Sequence, residues 1–416
     1  MKSRLGTVVI PSDDVATLRR HLGLAEGERL RIAFEAGPGD VSGTFAHWRD
    51  GSFDPRVTVV AYSTMFFDLI EALDAEALVI DTYGKASPTN VGNDTIRFER
   101  LTSQAGNGYF GYMKSKRHTA RALRKKIESF RPHVTLLSGD IYWLGIPSLP
   151  GMKIVSMHNT FWSYGSSPSG IKDMVDNAVK SLIIQRYIGA FVCTSKECAR
   201  QVLKLSPQAK VFVETPQLPS IPSPSPQEEA GELRLLYVGR MTRAKGVFDL
   251  LSVVERLHED GVPVRLGYVG DGPVLEELRD RAAGGSARVD VHGRLPGESV
   301  QEEMARADLL VCPTREEFKE GLALVCVEAL ANGTPSLMSS VVPAAELVDA
   351  AGLVYAANDD DAMKAGIERF WRDPEFRERL RAAARGRSEE FTDRTQSWGT
   401  KLLFAIKHVA AQAGRS

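Results

Sequence analysis

Residues 320–335 read EGLALVCVEALANGTP, and the rest of the chain is organised around them. Glu320 and Gly321 open the stretch, and Glu328 follows after seven intervening residues. Asn332-Gly333 and then Pro335 supply the stop signals of a helix. Upstream, 308–312 (DLLVC) is a short apolar run of the kind that makes a buried parallel strand. The unit is therefore strand, loop, helix, with Glu320 in the loop at the mouth of the helix and Glu328 within its first turns.

The first amides of a helix lack intrahelical partners and, with the helix dipole, form an anion site. Gly321, Leu322 and Ala323 would supply those amides, with Gly321 leaving room for a close backbone approach. Eight helical residues rise about 12 Å, an upper limit for the separation of the two glutamates. One carboxylate would then stand on each side of a bound diphosphate. A carboxylate accepts up to about four hydrogen bonds, which suits the vicinal diol of a sugar or ribose. The same residues also read as two solvated glutamates flanking a core helix, and spacing alone leaves both readings open.

Working outward, the chain alternates strands and helices on both sides of this unit. Before it, strands are expected over 30–35, 57–62, 77–81, 134–137, 154–157 and 191–194, with helices over 65–73, 114–130 and 171–187. Residues 215–232 (TPQLPSIPSPSPQEEAGE) suit neither sheet nor helix and read as an extended linker. After it come strands over 233–238, 264–269, 289–291, 308–312 and 335–338. The helices between them cover 247–258, 274–283 and 300–307, the last with Ser299 and Glu302 as a capping box. The tail, 360–411, reads as helical throughout.

Such alternation predicts an α/β protein with two doubly wound domains joined by a linker. The expected units are 1–215, the linker 216–232, and 233–416, the helical tail packing back on the first domain.

Composition narrows the function. The 416 residues are enough for two separate cores, and 43% hydrophobic with 25% charged is ordinary globular usage. A formal net charge of −1 argues against nucleic acid as the main partner. The four cysteines form no C-x-x-C pair, and Cys312 and Cys326 fall in apolar runs, so a reducing compartment is expected. With no secretory apolar run and no span-length stretch, the expectation is a cytoplasmic protein, or one lying on the inner face of a membrane.

In doubly wound sheets, ligands bind beyond the carboxyl ends of the strands. In the second series those ends carry Gly239-Arg240, Gly270-Asp271-Gly272-Pro273, His292-Gly293-Arg294-Leu295 and the Glu320 loop, while Lys245-Gly246 opens the first helix. An Arg fork and a Lys point charge suit a diphosphate. Residues 270–273 also read as an ordinary turn.

Taken in order over 233–350, these pieces resemble the retaining glycosyltransferases of family four (glycosyl transferases group one). That resemblance implies the GT-B architecture, two Rossmann-like domains facing across a cleft, with no metal and no bound cofactor. The donor would be a UDP- or GDP-sugar on the C-terminal domain, with the acceptor mainly on the N-terminal one. It implies that Gly239, Arg240 and Lys245 hold the diphosphate and that Glu320 binds the transferred sugar. The amides of Gly321, Leu322 and Ala323 would face phosphate or sugar. Glu328 would take the ribose diol, Gly293, Arg294 and Leu295 would border the base, and His158 would stand near the anomeric centre.

The catalytic set so implied is His158, Glu320, Arg240 and Lys245. His158 also reads as a structural histidine at a strand end. The chain departs from the family at Leu322-Ala323, where many members have Phe-Gly, and at Gly37-Pro38-Gly39-Asp40, where paired glycines are common. Glu346 falls where the family often has Pro-Glu.

No carboxylate is placed as a hydrolase-type nucleophile, and the resemblance implies front-face attack assisted by the departing phosphate. Another GT-B activity, such as a sugar-nucleotide epimerase, and a turnover-deficient binding protein are the alternatives. A dehydrogenase is disfavoured, since Gly239-Arg240 lacks the G-x-G-x-x-G turn. Residues 109–131 set three aromatics before a basic helix, which suits an anionic membrane or lipid-diphosphate acceptor, or a solvated helix face. Polysaccharide, glycolipid and small-molecule acceptors all remain open.

Overall fold

The apolar runs that lack polar alternation become strands covered on both faces, as a parallel sheet between helices requires. The computed structural model describes residues 4–11, 13–37, 39–82, 92–101, 108–138, 142–165, 170–219 and 231–414, and of 108–114 the backbone only. Seven strands form the first sheet: β1 (Arg31–Gly37), β2 (Glu76–Asp81), β3 (Ile96–Arg100), β4 (Val134–Ser138), β5 (Met152–Met157), β6 (Ile188–Cys193) and β7 (Val211–Val213). Their order is β3-β2-β1-β4-β5-β6-β7, and every pairing is parallel.

The second sheet has β8 (Leu233–Val238), β9 (Val264–Val269), β10 (Arg288–Gly293), β11 (Leu309–Cys312), β12 (Ser336–Ser339) and β13 (Gly352–Tyr355). Its order is β10-β9-β8-β11-β12-β13, again wholly parallel. In each sheet the order reverses beside the first strand, between β1 and β4 and between β8 and β11. A crevice opens at such switch points.

Helices α1 (Asp14–His21), α2 (Val41–Arg49), α3 (Tyr62–Ala72), α4 (Gly108–Phe130), α5 (Ile171–Tyr187) and α6 (Lys196–Leu205) belong to the first half. The second half carries α7 (Val247–Glu259), α8 (Leu275–Gly284), α9 (Gly297–Arg306), α10 (Leu324–Ala331), α11 (Ala345–Val348), α12 (Asp360–Arg372) and α13 (Pro374–Arg387). The last helix, α14 (Trp398–Ala413), crosses back to pack on α3 and β6. There Trp398, Leu402, Leu403, Ile406 and Val409 are buried in the first half's core. Ser397 caps α14 by accepting from the Thr400 amide, 3.2 Å away.

Four expectations need correction. Residues 57–62 form no strand: Val60 N donates to Gln217 O (2.7 Å), Val59 packs on the second half's core, and α3 begins at Tyr62. Val60 enters the first half's own core and Val59 packs on the second half's, while Val57 is exposed, so the alternation does not mark a sheet. Ser299 does not cap α9, which starts at Gly297 behind Pro296. The tail is not one helical run, since Asp373 caps a new helix at Pro374 and short 3-10 turns separate α13 from α14. Finally, β3, β7 and β13 were not expected; β3 (IRFER) carries charges on an edge strand, and β7 is three residues long. Most of the expected linker, 220–230, lies outside the described residues.

Candidate active site

The two switch points face one another across a cavity of about 670 Å³. Gly39, Asp40, His158 and Asn159 line it from the first half, and Gly239, Lys245 and residues 320–325 from the second. A second cavity, about 310 Å³, lies against it and is lined by Arg240, Gly270, Asp271, Arg294 and Leu295, with Gly239 bordering both.

Lys245 and Glu320 form an ion pair inside the larger cavity. Glu320 is only 7% exposed, and a carboxylate this deep needs partners. Besides Lys245 it accepts from Thr314 Oγ1 at 3.3 Å. The ammonium also stands 4.4 Å from the Phe318 ring centroid, in cation–π range. The turn that aims Lys245 depends on Gly246, whose φ is +71° and where a Cβ would sit 1.9 Å from Pro313 O. Sequence reasoning assigned the two charges to different parts of a ligand. In this structure they neutralise each other. Arg240 is exposed at the edge of the smaller cavity.

The amides expected from Gly321 to Ala323 are not the first of the helix. Helix α10 begins at Leu324, and Ala323 before it is left-handed (φ 68°, ψ 68°), so the free helical amides are those of Leu324 and Val325. Gly321 is a glycine for a different reason from the one expected. A Cβ there would lie 1.8 Å from His158 O, so the space serves the other half's backbone rather than a ligand. Thr160 Oγ1 donates to Glu320 O (3.4 Å) at the same seam, and Arg200 of α6 pairs with Glu346 of α11 nearby.

His158 follows β5 and sits half-buried, its ring packed on Tyr62 (centroids 4.4 Å apart). Loss of water pushes its pKa down to about 4, so the imidazole is neutral. His158 Nε2 lies 2.9 Å from Ser156 Oγ, which accepts from Trp398 Nε1 at 2.8 Å. Tyr62 Oη in turn donates to Glu214 (3.1 Å), a 2% exposed carboxyl whose burial raises its pKa to about 8. Sequence reasoning missed Tyr62, Ser156, Glu214, Thr314 and Phe318. Ser156 and His158 sit two positions apart at a strand end, which places both on one face, and that spacing was the available signal.

Two expected residues stand apart from both cavities. Glu328 is half-buried on α10, and desolvation raises its pKa, partly offset by the Thr58 hydroxyl that lies against it. Gly293 is buried and gives its carbonyl to Gly270 N (2.8 Å), while Arg294 and Leu295 line the smaller cavity.

Residues 223–387 match the family model described as Glycosyl transferases group 1. These residues, less than half of the chain, are similar to that group. Among curated relatives, the putative glycosyltransferase EpsF of Bacillus subtilis is 27% identical over 77% of this chain and 88% of its own. The putative teichuronic acid biosynthesis glycosyltransferase TuaC of the same organism is 34% identical over 26% of this chain, a match that spans only 24% of TuaC. Anabaena HepE, solved in complex with UDP, superposes with a TM-score of 0.62 at 15% identity, covering 90% of this chain and 98% of HepE. That likeness is one of fold. The chain has the GT-B architecture, two parallel-sheet halves facing across a cleft.

Proposed function

We propose that this glycosyltransferase transfers a hexosyl group from a nucleoside-diphosphate sugar, UDP- or GDP-linked, to a hydroxyl acceptor with retention at the anomeric carbon. The observation that carries the reading is one cavity between two switch points, where a Lys, a buried Glu, a helix N-terminus and a neutral His converge. Polar groups of these types, each on a different element, suit a diphosphate joined to a sugar. HepE binds UDP, which supports the same ligand class.

In this reading Arg240, Lys245 and the amides opening α10 take the diphosphate, and Glu320 takes sugar hydroxyls. Arg294 and Leu295 border the base, and Glu328 takes the ribose diol once Thr58 gives way. The bond from the anomeric carbon to the phosphate oxygen breaks as negative charge grows on the departing diphosphate. Preorganised cations and amides stabilise that charge. The acceptor oxygen then bonds to the same face of the anomeric carbon and passes its proton to the leaving phosphate oxygen. With two protein cations on the diphosphate, the transfer is proposed to run without a metal ion.

The first half, with Gly39 and Asp40 at the cavity wall, receives the acceptor, a growing polysaccharide, glycolipid or small glycoside. Such a protein works at the inner face of a membrane, with 109–131 as its contact.

Calorimetric titration with UDP, GDP, ADP and their sugar conjugates tests the reading. One nucleotide is expected to saturate a single site, with Lys245→Ala weakening it at least about tenfold, or about 1.4 kcal/mol. A folded protein that binds none of them would refute the donor site. In the matching assay, Glu320→Ala should abolish sugar transfer while leaving nucleotide binding measurable.

A further inference from the structure

His158 is tied at one ring nitrogen and open at the other. Nε2 lies 2.9 Å from Ser156 Oγ. Nδ1 has no hydrogen-bond partner among the described residues and is not enclosed, so it opens on the cavity that the ring helps to line. Ser156 is 1% exposed, and its oxygen accepts the indole N–H of Trp398 at 2.8 Å. An indole nitrogen donates and never accepts.

The Ser156 hydroxyl proton therefore has one acceptor within reach among the described residues, the Nε2 lone pair of His158. A proton on Nε2 would instead set donor against donor and strand a buried hydroxyl proton without an acceptor. The second nitrogen then carries the ring proton.

We propose that Ser156 and Trp398 are positioning residues that fix His158 in its Nδ1–H form, so that it meets the transferred sugar as a hydrogen-bond donor and not as a base. The proposal rests on the placement of His158 at the sugar given under the proposed function. Packing holds each member of the relay. Trp398 is fully buried between the rings of Phe34 (6.1 Å) and Tyr62 (5.6 Å), and Tyr62 also covers the imidazole face. Burial keeps the ring neutral, which preserves a single N–H facing the cavity. The relay also joins distant parts of the chain, since Ser156 and Trp398 are 242 positions apart. The last helix thereby sets where a proton sits at the reaction centre.

Long-range 1H–15N correlation on the full-length protein, labelled at histidine, reads this directly. The His158 signals are assigned by their loss in His158→Gln. In the wild type, Nδ1 is expected at a protonated, pyrrole-type shift and Nε2 at an unprotonated, pyridine-type shift. Ser156→Ala should release the ring to the Nε2–H form or a mixture, and Trp398→Phe should move it the same way by less. The same variants should lower kcat about tenfold with donor KM unchanged, as expected for loss of orientation at the reacting centre.

A wild-type ring protonated at Nε2 overturns the proposal without recourse to any variant. A tautomer unchanged in both variants overturns it as well. The expected tautomers with undiminished kcat would instead remove His158 from the sugar, leaving the donor-site reading to stand or fall by calorimetry.

Discussion

Glu214, the residue after β7, shows how much of this site depends on groups with no motif of their own. One carboxyl oxygen accepts from Tyr62 (3.1 Å), and the other has no partner among the described residues. Burial raises its pKa from 4.5 to about 8, so near neutrality the folded chain holds it protonated while the unfolded chain does not. The stability this group contributes is therefore whole below about pH 4.5 and lost as pH rises through about 8.

Glu214→Gln keeps the neutral form throughout. Its stability advantage over the wild type should widen across that window to a few kcal/mol, on the scale of about 1.4 kcal/mol per pH unit. Urea unfolding at several pH values measures the difference. Parallel stability curves would mean that the carboxyl is ionised in the folded protein. His158, held near 4, contributes the opposite slope at lower pH, but it is common to both proteins and cancels. Lys245, Glu320 and His158 were legible in the sequence because they sit in ordered motifs at strand ends. Glu214, Tyr62 and Ser156 were not, since strand packing alone brings them together.

At the scale of the element, the loop between β11 and α10 decides the cleft. Its Gly321 lies under His158 O, and Ala323 holds a left-handed conformation that costs an L-residue about 1–2 kcal/mol. The side chains on both flanks fix that strain in place: Glu320 by its ion pair, Leu322 by burial in the core. Gly321→Ala should push the loop off the β5 end and lower turnover at least about tenfold, with thermal unfolding shifted by only a few degrees. Initial rates beside a thermal melt test this, and a fully active variant would show that the two halves do not meet at Gly321 during catalysis.

The strand, loop and stop signals of this unit could be read from residues, and Asn332 and Gly333 end the helix as expected. Its first turn could not, because Ala323 takes a left-handed conformation before the helix, which no periodicity records. Residues 57–62 misled for a related reason. Their apolar spacing was real, but Val60 packs in the first half's core and Val59 on the second's, with no strand between.

At the scale of the molecule, alternation alone foretold two wound sheets, and the order reversals placed the cleft. The tail was expected to pack back on the first half, and its last helix, α14, lies there on α3 and β6. The outer surface adds a testable feature. Helix α5 exposes Ile171, Met174, Val175 and Leu182 at helical spacing, and the turn containing exposed Leu144 packs against both α5 and α4. Helix α4 exposes Arg117, Arg121, Arg124 and Lys125. Apolar stripe and cations together suit an anionic bilayer surface. No helix among the described residues is long and apolar enough to cross one.

Flotation should therefore depend on anionic lipid and on low salt, and Arg121→Glu with Met174→Asp should abolish it. Equal flotation with neutral vesicles, or none at all, would remove membrane contact from the proposed function.

The return of α14 also bears on how the chain is made. Synthesis delivers the first half's seven strands long before Trp398, Leu402 and Ile406, which complete their core. The second half emerges in between and can close its own core first. The segment made earliest must then wait, partly open, until α14 has been made. Its core closes only after the second half has been synthesised, and the proton relay at His158 comes into being only with that step.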